Sequence, residues 1–321
     1  MKEQGNSYHS NGTERESFYD PEAQKRFDYV VVVGQKVFSN SALLEANADK
    51  QISSQDLILI EAYHKEVSPT NPTQPCRVQK EDRPQAKDAS FYANWDLPGG
   101  PLESIELASN AAGFIVQLIQ ENIKNEDQHA DNWSKETIQK LQSLDPNHAA
   151  AAGALHDEGR EITHQFGVNE YIGNALLKKI GIREDIRAVL PNEEVMLAKP
   201  EGNETIQDAM DRMIRSLDPE AVIVRIADEF GKRAPGTNRL YQPEDYDAWD
   251  RNTWAERYLN NPLGGRPTDD LSRSNMQLHV DNVPYYFAAL DNWLTTLTKI
   301  NLKELAMKLE DTFGPTLRPL S

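Results

Sequence analysis

The stretch Gly153-Ala154-Leu155-His156-Asp157-Glu158-Gly159-Arg160-Glu161-Ile162-Thr163-His164 gathers two histidines, one aspartate and two glutamates in twelve residues. An adjacent His-Asp pair ends an Ala-rich apolar run, a glycine follows closely, and a second histidine comes eight positions after the first. Upstream, Asp145-Pro146 reads as a helix start, with Asp as N-cap and Pro at the first helical position. Ala149 to Ala152 favour helix and carry little bulk, so a second helix can approach closely. Gly159 reads as the helix terminator, which puts His156 and Asp157 in the last turn. Adjacent residues of a regular helix diverge by about 100°. A loosened helix end is therefore where both side chains can aim at one point. An imidazole beside a carboxylate suits a divalent Zn, Mn, Fe or Ni better than Ca, with Mg also in the candidate set. The bland alternative is a surface helix end that carries polar residues by chance.

Outward from this stretch the pattern is mainly helical. Leu102 to Ile123 is opened by Pro101 and has a broad apolar face of Ile105, Ala108, Phe114, Ile115, Leu118 and Ile119. Further helices are expected over Glu170–Ile180, stopped by Gly181, and over Asn203–Leu217. The segment Ala221–Lys232 sets Asp228 among Val222, Ile223, Val224, Ile226 and Phe230. Burying an unpaired carboxylate costs several kcal/mol. Asp228 is therefore expected to share a metal with His156 and Asp157, or to pair with Arg225 or Lys232. Tyr285 to Leu309 is expected as amphipathic helix, with a core stripe of Phe287, Leu290, Trp293, Leu294 and Leu297. The most strand-like segments are Asp28–Gly34 and Leu57–Ile60, although both are short enough to be helical. Neither is followed by the glycine spacing of a nucleotide-binding loop.

Leu155-His156-Asp157-Glu158-Gly159-Arg160, Thr163-His164, Tyr171 to Leu177 and Ile180-Gly181-Ile182 together resemble the HD superfamily of metal-dependent phosphohydrolases. Ala221 to Lys232 resembles the later family helix that bears the last metal-ligand aspartate, and the resemblance spans about residues 100–234. It implies a helical bundle in which His156, Asp157 and Asp228 hold a divalent ion. It also implies that Arg160 and His164 orient a substrate phosphate, and that Asp157 helps align an attacking water. His164 is equally well read as a loop histidine bonded to the backbone. The family usually has its first ligand histidine near the start of the Leu102 helix. Here that region reads Gly100-Pro101-Leu102-Glu103-Ser104-Ile105-Glu106, without histidine. Glu103 or Glu106 is a candidate replacement, but a first-turn carboxylate also simply complements the helix dipole. Glu158 stands where many relatives have an apolar residue. His129 and His148 are expected on the surface, and His148 lies about 12 Å along the helix from His156.

The 321-residue chain has a net charge of −17 and a sequence pI near 4.9. Nucleic acid and anionic membrane surfaces are therefore poor partners. A phosphate substrate stays open, because a bound metal inverts the local potential. One cysteine, Cys76, excludes an intramolecular disulfide. With no signal peptide or spanning run visible, a cytoplasmic protein is expected. The organisation reads as a polar tail (1–27), an extension with a Pro-rich linker (28–90), the HD-like domain (91–234) and a C-terminal helical extension (235–321). Within the last, 235–284 reads as largely irregular, with His279 and Asp281 in a loop. The leading expectation is hydrolysis of a small phosphate ester or nucleotide. The alternatives are an HD-fold binding or regulatory protein without catalysis, and a helical interaction module with an accidental His-Asp match.

Overall fold

The computed structural model describes residues 21–71, 95–123, 133–162, 169–191, 193–234, 236–247 and 270–320. Outside them lie the first part of the polar tail, most of the Pro-rich linker with Cys76, and His129. His164, Trp249, Trp254, the turn 263–267 and Asp269 also lie outside them. Among the described residues there are twelve α-helices and no strand, so the chain is mainly α. The helices are α1 (Pro21–Val37), α2 (Ser54–Val67), α3 (Pro101–Asn122), α4 (Lys135–Ser143), α5 (Pro146–Leu155) and α6 (Asn169–Ile180). They continue with α7 (Glu184–Ala188), α8 (Ile206–Ser216), α9 (Pro219–Phe230), α10 (Pro243–Asp247), α11 (Asp270–Thr298) and α12 (Leu302–Phe313).

Both strand-like segments are helical. Val30, Val33 and Gly34 are buried with Arg26 and Phe38, while Val32 is 64% exposed. That spacing is the helical one. In α2, Asp56, Ile60, Tyr63, His64 and Val67 face inward, and Ile58 points out. A β-branched residue costs a helix well under 1 kcal/mol, and burial of one face outweighs it. Helix α1 begins at Pro21, so residues 21–27, grouped by composition with the tail, are also helical.

The centre of the molecule is α3. Its Ala108, Ala111 and Ala112 form a flat surface against which α5 and α9 pack. A Cβ at Gly153 of α5 would lie 2.8 Å from the Ala108 carbonyl oxygen, and one at Gly231 would lie 2.8 Å from Ala111 Cβ. These close approaches require glycine and press the C-terminal ends of α5 and α9 onto one patch of α3. The Asp145 cap accepts from Asn147 N–H at 2.9 Å, and the Asp218 cap of α9 accepts from Glu220 N–H at 3.0 Å. Both helices thus start in the same way, and they run side by side in the same direction.

Two apolar clusters flank this layer. One joins α1, α2, α6 and α7 to α5 through Val30, Phe38, Tyr63, Leu155, Leu176 and Leu177. The other joins α8, α11 and α12 to α3 and α9 through Met210, Phe230, Leu290, Trp293 and Leu305. The expected stop of α6 is present: Gly181 adopts φ +97° and the Ile182 N–H donates to the Leu177 carbonyl at 2.9 Å.

The C-terminal part differs from its sequence reading. Helix α11 starts at Asp270 and runs through Pro284, so His279 and Asp281 lie on a helix. An internal proline costs about 3 kcal/mol. Buried Val280, Val283, Tyr286 and Leu290 hold the helix together across it, and Asn282 donates to the carbonyls of Met196 and Ala198. The expected single helix from Tyr285 to Leu309 breaks at Lys299 (φ +60°), and Asn301 caps α12.

Candidate metal centre

Helix α5 ends at Leu155, earlier than the expected terminator Gly159. His156 is its C-cap, Asp157 leaves the helix at φ −106°, and Glu158–Glu161 form a 3-10 turn. Gly159 works by close approach instead. A Cβ on Gly173 of α6 would lie 2.8 Å from the Gly159 nitrogen, so α6 rests directly on this turn. The break in helical geometry lets adjacent side chains converge. His156 Nε2 lies 3.2 Å from Asp157 Oδ2 and 3.1 Å from Asp228 Oδ1. Asp228 arrives from the last turn of α9. One donor atom from each of the three residues falls within 4.8 Å of the others.

Two features decide what this cluster can do. The His156 ring is buried, and its Nδ1 sits 2.6 Å from the Gly153 carbonyl oxygen. A carbonyl only accepts, so Nδ1 carries the hydrogen and Nε2 faces the two carboxylates. This is the orientation of a metal-ligating histidine whose other nitrogen is fixed by a backbone carbonyl. The second feature is spacing. Donors at about 2.1 Å from a shared divalent ion are separated by about 3.0–3.4 Å, which matches the two His156–carboxylate distances. The residues present therefore fit a divalent transition metal. With a proton in place of the metal the same geometry is an imidazolium between two carboxylates. Burial disfavours that charge, but Asp157 and Asp228 outweigh it and hold the His156 pKa well above its ordinary range.

Asp228 forms ion pairs with His156 and, at 3.9 Å, with Lys232 Nζ, which also meets Glu229 at 3.2 Å. Glu103 is not part of the cluster. It is buried, receives the Arg233 guanidinium through two bonds of 2.8 and 2.9 Å, and accepts from Gly99 N–H at 2.6 Å. Burial pushes its pKa up, yet these donors prevail and hold it below the usual value. The exposed first-turn carboxylate expected here is thus a buried structural anion. Glu106 is partly buried near Glu61 and Lys65, with its pKa raised by burial and by Glu61.

His148 is also not a free surface histidine. Its Nδ1 lies 2.6 Å from Glu220 and its Nε2 3.3 Å from Asp185. The pair His148–Glu220 joins the beginnings of α5 and α9, as His156–Asp228 joins their ends. Helix α6 opens only at Asn169, and the 3-10 turn includes Arg160 in its backbone. The Arg160 side chain and His164 lie outside the described residues.

Three contributors were not visible as such in the sequence. The Glu158 carboxylate is buried, accepts from the Tyr63 hydroxyl at 2.8 Å, and lies 3.3 Å from His64 Nε2. Tyr63 and His64 come from α2, just beyond the strand-like Leu57–Ile60, and the sequence reading singled out neither. The available signal was His64 at the position four after Ile60, on the buried stripe.

Comparison with known proteins returns no matching family model, no matching curated protein and no matching solved structure. No helix among the described residues is long and apolar enough to cross a membrane.

Proposed function

We propose that the chain is a metal-dependent phosphohydrolase resembling the HD superfamily, acting on a small phosphate ester or nucleotide. The observation that carries this reading is the convergence of His156, Asp157 and Asp228 with the His156 Nδ1 hydrogen fixed on the Gly153 carbonyl. These three residues would hold the ion. A divalent ion there supplies Lewis-acid polarisation of a phosphoryl group and a nucleophile at neutral pH. Asp157 would help align the attacking water, a role that enters through the resemblance. Lys232 Nζ sits beside the cluster and adds a positive charge near the position of a substrate phosphate. Arg160 and His164 enter only through the resemblance, as phosphate-orienting groups.

A second reading, a binding or regulatory protein of the same fold without catalysis, draws on one observation. Among the described residues no fourth imidazole or carboxylate joins the group, and Glu103 is committed to Arg233.

The test is metal content by mass spectrometry on untagged protein, wild type beside Asp157→Ala. Near-stoichiometric metal in wild type, lost in the variant, leads to a phosphoesterase screen with that metal. Protein that stays metal-free after incubation with Mn, Fe, Ni and Zn defeats the hydrolase reading.

A further inference from the structure

We infer that Tyr63 and His64 of α2, gripping Ala154 and Glu158, are positioning residues that aim His156 and Asp157 at the shared ion. The inference rests on the metal reading above and adds to it. It makes the segment before the Pro-rich linker a working part of the centre, although the resemblance begins only near residue 100.

His156 and Asp157 lie where α5 has ended and the 3-10 turn has not begun, so no regular helix fixes their direction. Something else must hold the backbone on both sides of the pair. His64 Nε2 lies 3.0 Å from the Ala154 carbonyl oxygen, two residues before His156. The same Nε2 lies 3.3 Å from Glu158 Oε1, immediately after Asp157. The carbonyl can only accept, so Nε2 carries a hydrogen that it donates to Ala154, and Glu158 Oε1 meets the ring only as a neighbouring charge. Tyr63 OH donates to the other carboxylate oxygen of Glu158 at 2.8 Å. One dipeptide of α2 thus holds one ligand dipeptide from both ends.

The clamp is itself anchored. The Asp56 carboxylate of α2 accepts from the Ser41 and Ser53 hydroxyls at 2.6 Å each, from Ala42 N–H at 3.0 Å and from Ser53 N–H at 2.8 Å. The Tyr63 ring packs on Phe38 at 5.0 Å between centroids. Helix α6 rests on Gly159 of the same turn through Gly173. The turn is thus held by α6 as well as by α2.

Burial supplies the remaining reason to expect a positioning role. Tyr63, His64 and Glu158 are all at most 1% exposed. An ordinary packing position between two helices would be met by apolar side chains, at no desolvation cost. A buried polar trio is useful where the direction of a neighbouring group matters more than stability, and metal ligands are such groups. Loss of an outer partner of a metal ligand typically weakens metal affinity by about 10- to 100-fold.

The experiment measures Mn2+ affinity by isothermal titration, with Tm of the metal-free protein as the stability reading. The proteins are wild type, Tyr63→Phe, His64→Ala, His64→Gln and Ile60→Val. Tyr63→Phe keeps the ring packing and removes only the hydroxyl. His64→Gln keeps an N–H donor at similar reach. Ile60→Val lies on the same buried face of α2 and removes no polar group. Expected are about tenfold weaker binding for Tyr63→Phe and His64→Ala, and His64→Gln within about threefold of wild type. Ile60→Val is expected to lose stability with affinity unchanged. Tyr63→Phe and His64→Ala binding Mn2+ as tightly as wild type would overturn the clamp and leave the metal reading standing. Affinity that tracks Tm across all four variants, Ile60→Val included, would also overturn it. Wild type that binds neither Mn2+ nor, in the same titration, Fe2+, Ni2+ or Zn2+ would defeat the metal reading, and the positioning role with it.

Discussion

Gly153→Ala probes the contact on which the placement of the centre depends. An alanine Cβ there would stand 2.8 Å from the Ala108 carbonyl oxygen, 3.1 Å from Ala112 Cβ and 3.2 Å from the Ala108 carbonyl carbon. Favourable carbon contacts lie at about 3.5–4.0 Å, and two of the three obstructing atoms are α3 backbone that no rotamer change can remove. Helices α3 and α5 must part by roughly half an ångström, an overpacking of about 1–3 kcal/mol. Alanine returns about 1 kcal/mol of helix propensity. Gly113→Ala is the matched control, because it lies on the other helix of the same pair and gains the same propensity. Its Cβ would meet the Pro146 carbonyl oxygen at 3.2 Å and Ala150 Cβ at 3.5 Å, a far milder contact. The difference between the two variants therefore reads packing alone, and Gly153→Ala is expected to be less stable by about 2 kcal/mol. Urea denaturation followed by far-UV circular dichroism measures it. Equal stability of the two variants would show that α5 does not lie against α3 as described, and the link from small residues to ligand convergence would fail.

Glu103→Gln leaves Arg233 buried without its anion and is expected to cost about 3–5 kcal/mol. The Glu103 pKa is depressed, so the stabilisation from its ionised form is complete above the ordinary value of 4.5 and is lost as pH falls through the lower folded value. Acid titration of wild-type stability below about pH 4 should accordingly be steeper than that of the variant. The His148 pKa is raised: burial opposes protonation, but Glu220 and Asp185 outweigh both burial and the nearby Arg183. Its contribution is therefore present below the ordinary value of 6.5 and fades as pH rises through the higher folded value. The stability gap between wild type and His148→Ala should be larger at about pH 6 than at about pH 9, measured by chemical denaturation at the two values.

The helices were legible where sequence carries local instructions. Asp145-Pro146 and Gly181 announce helix ends through side-chain and backbone chemistry, and the structure uses both in that way. The Val30–Val33 run misleads because β-branched composition speaks for strand while the burial of Val30, Val33 and Phe38 follows the helical period. Of the candidate ligands, His156, Asp157 and Asp228 are brought together by the fold. Glu103 and His148 were misjudged because their partners, Arg233 and Glu220, are distant in sequence, and nothing local reveals a long-range ion pair. The part played by Tyr63 and His64 was hidden for the same reason.

The central position of α3 has a consequence for how the protein is made. Its surface against α5 and α9 is matched by residues that follow it, and part of its apolar face meets α11. Trp293, Leu294 and Leu305 of that cluster emerge from the ribosome long after α3 does. At synthesis rates of about 5–20 residues per second, α3 waits on the order of ten to thirty seconds for them. For that interval Ile115, Ile119 and their neighbours are exposed on a nascent chain, in a form that a chaperone binding apolar helices would recognise. The helix that organises the finished molecule is thus left partly uncovered while the chain is still being translated.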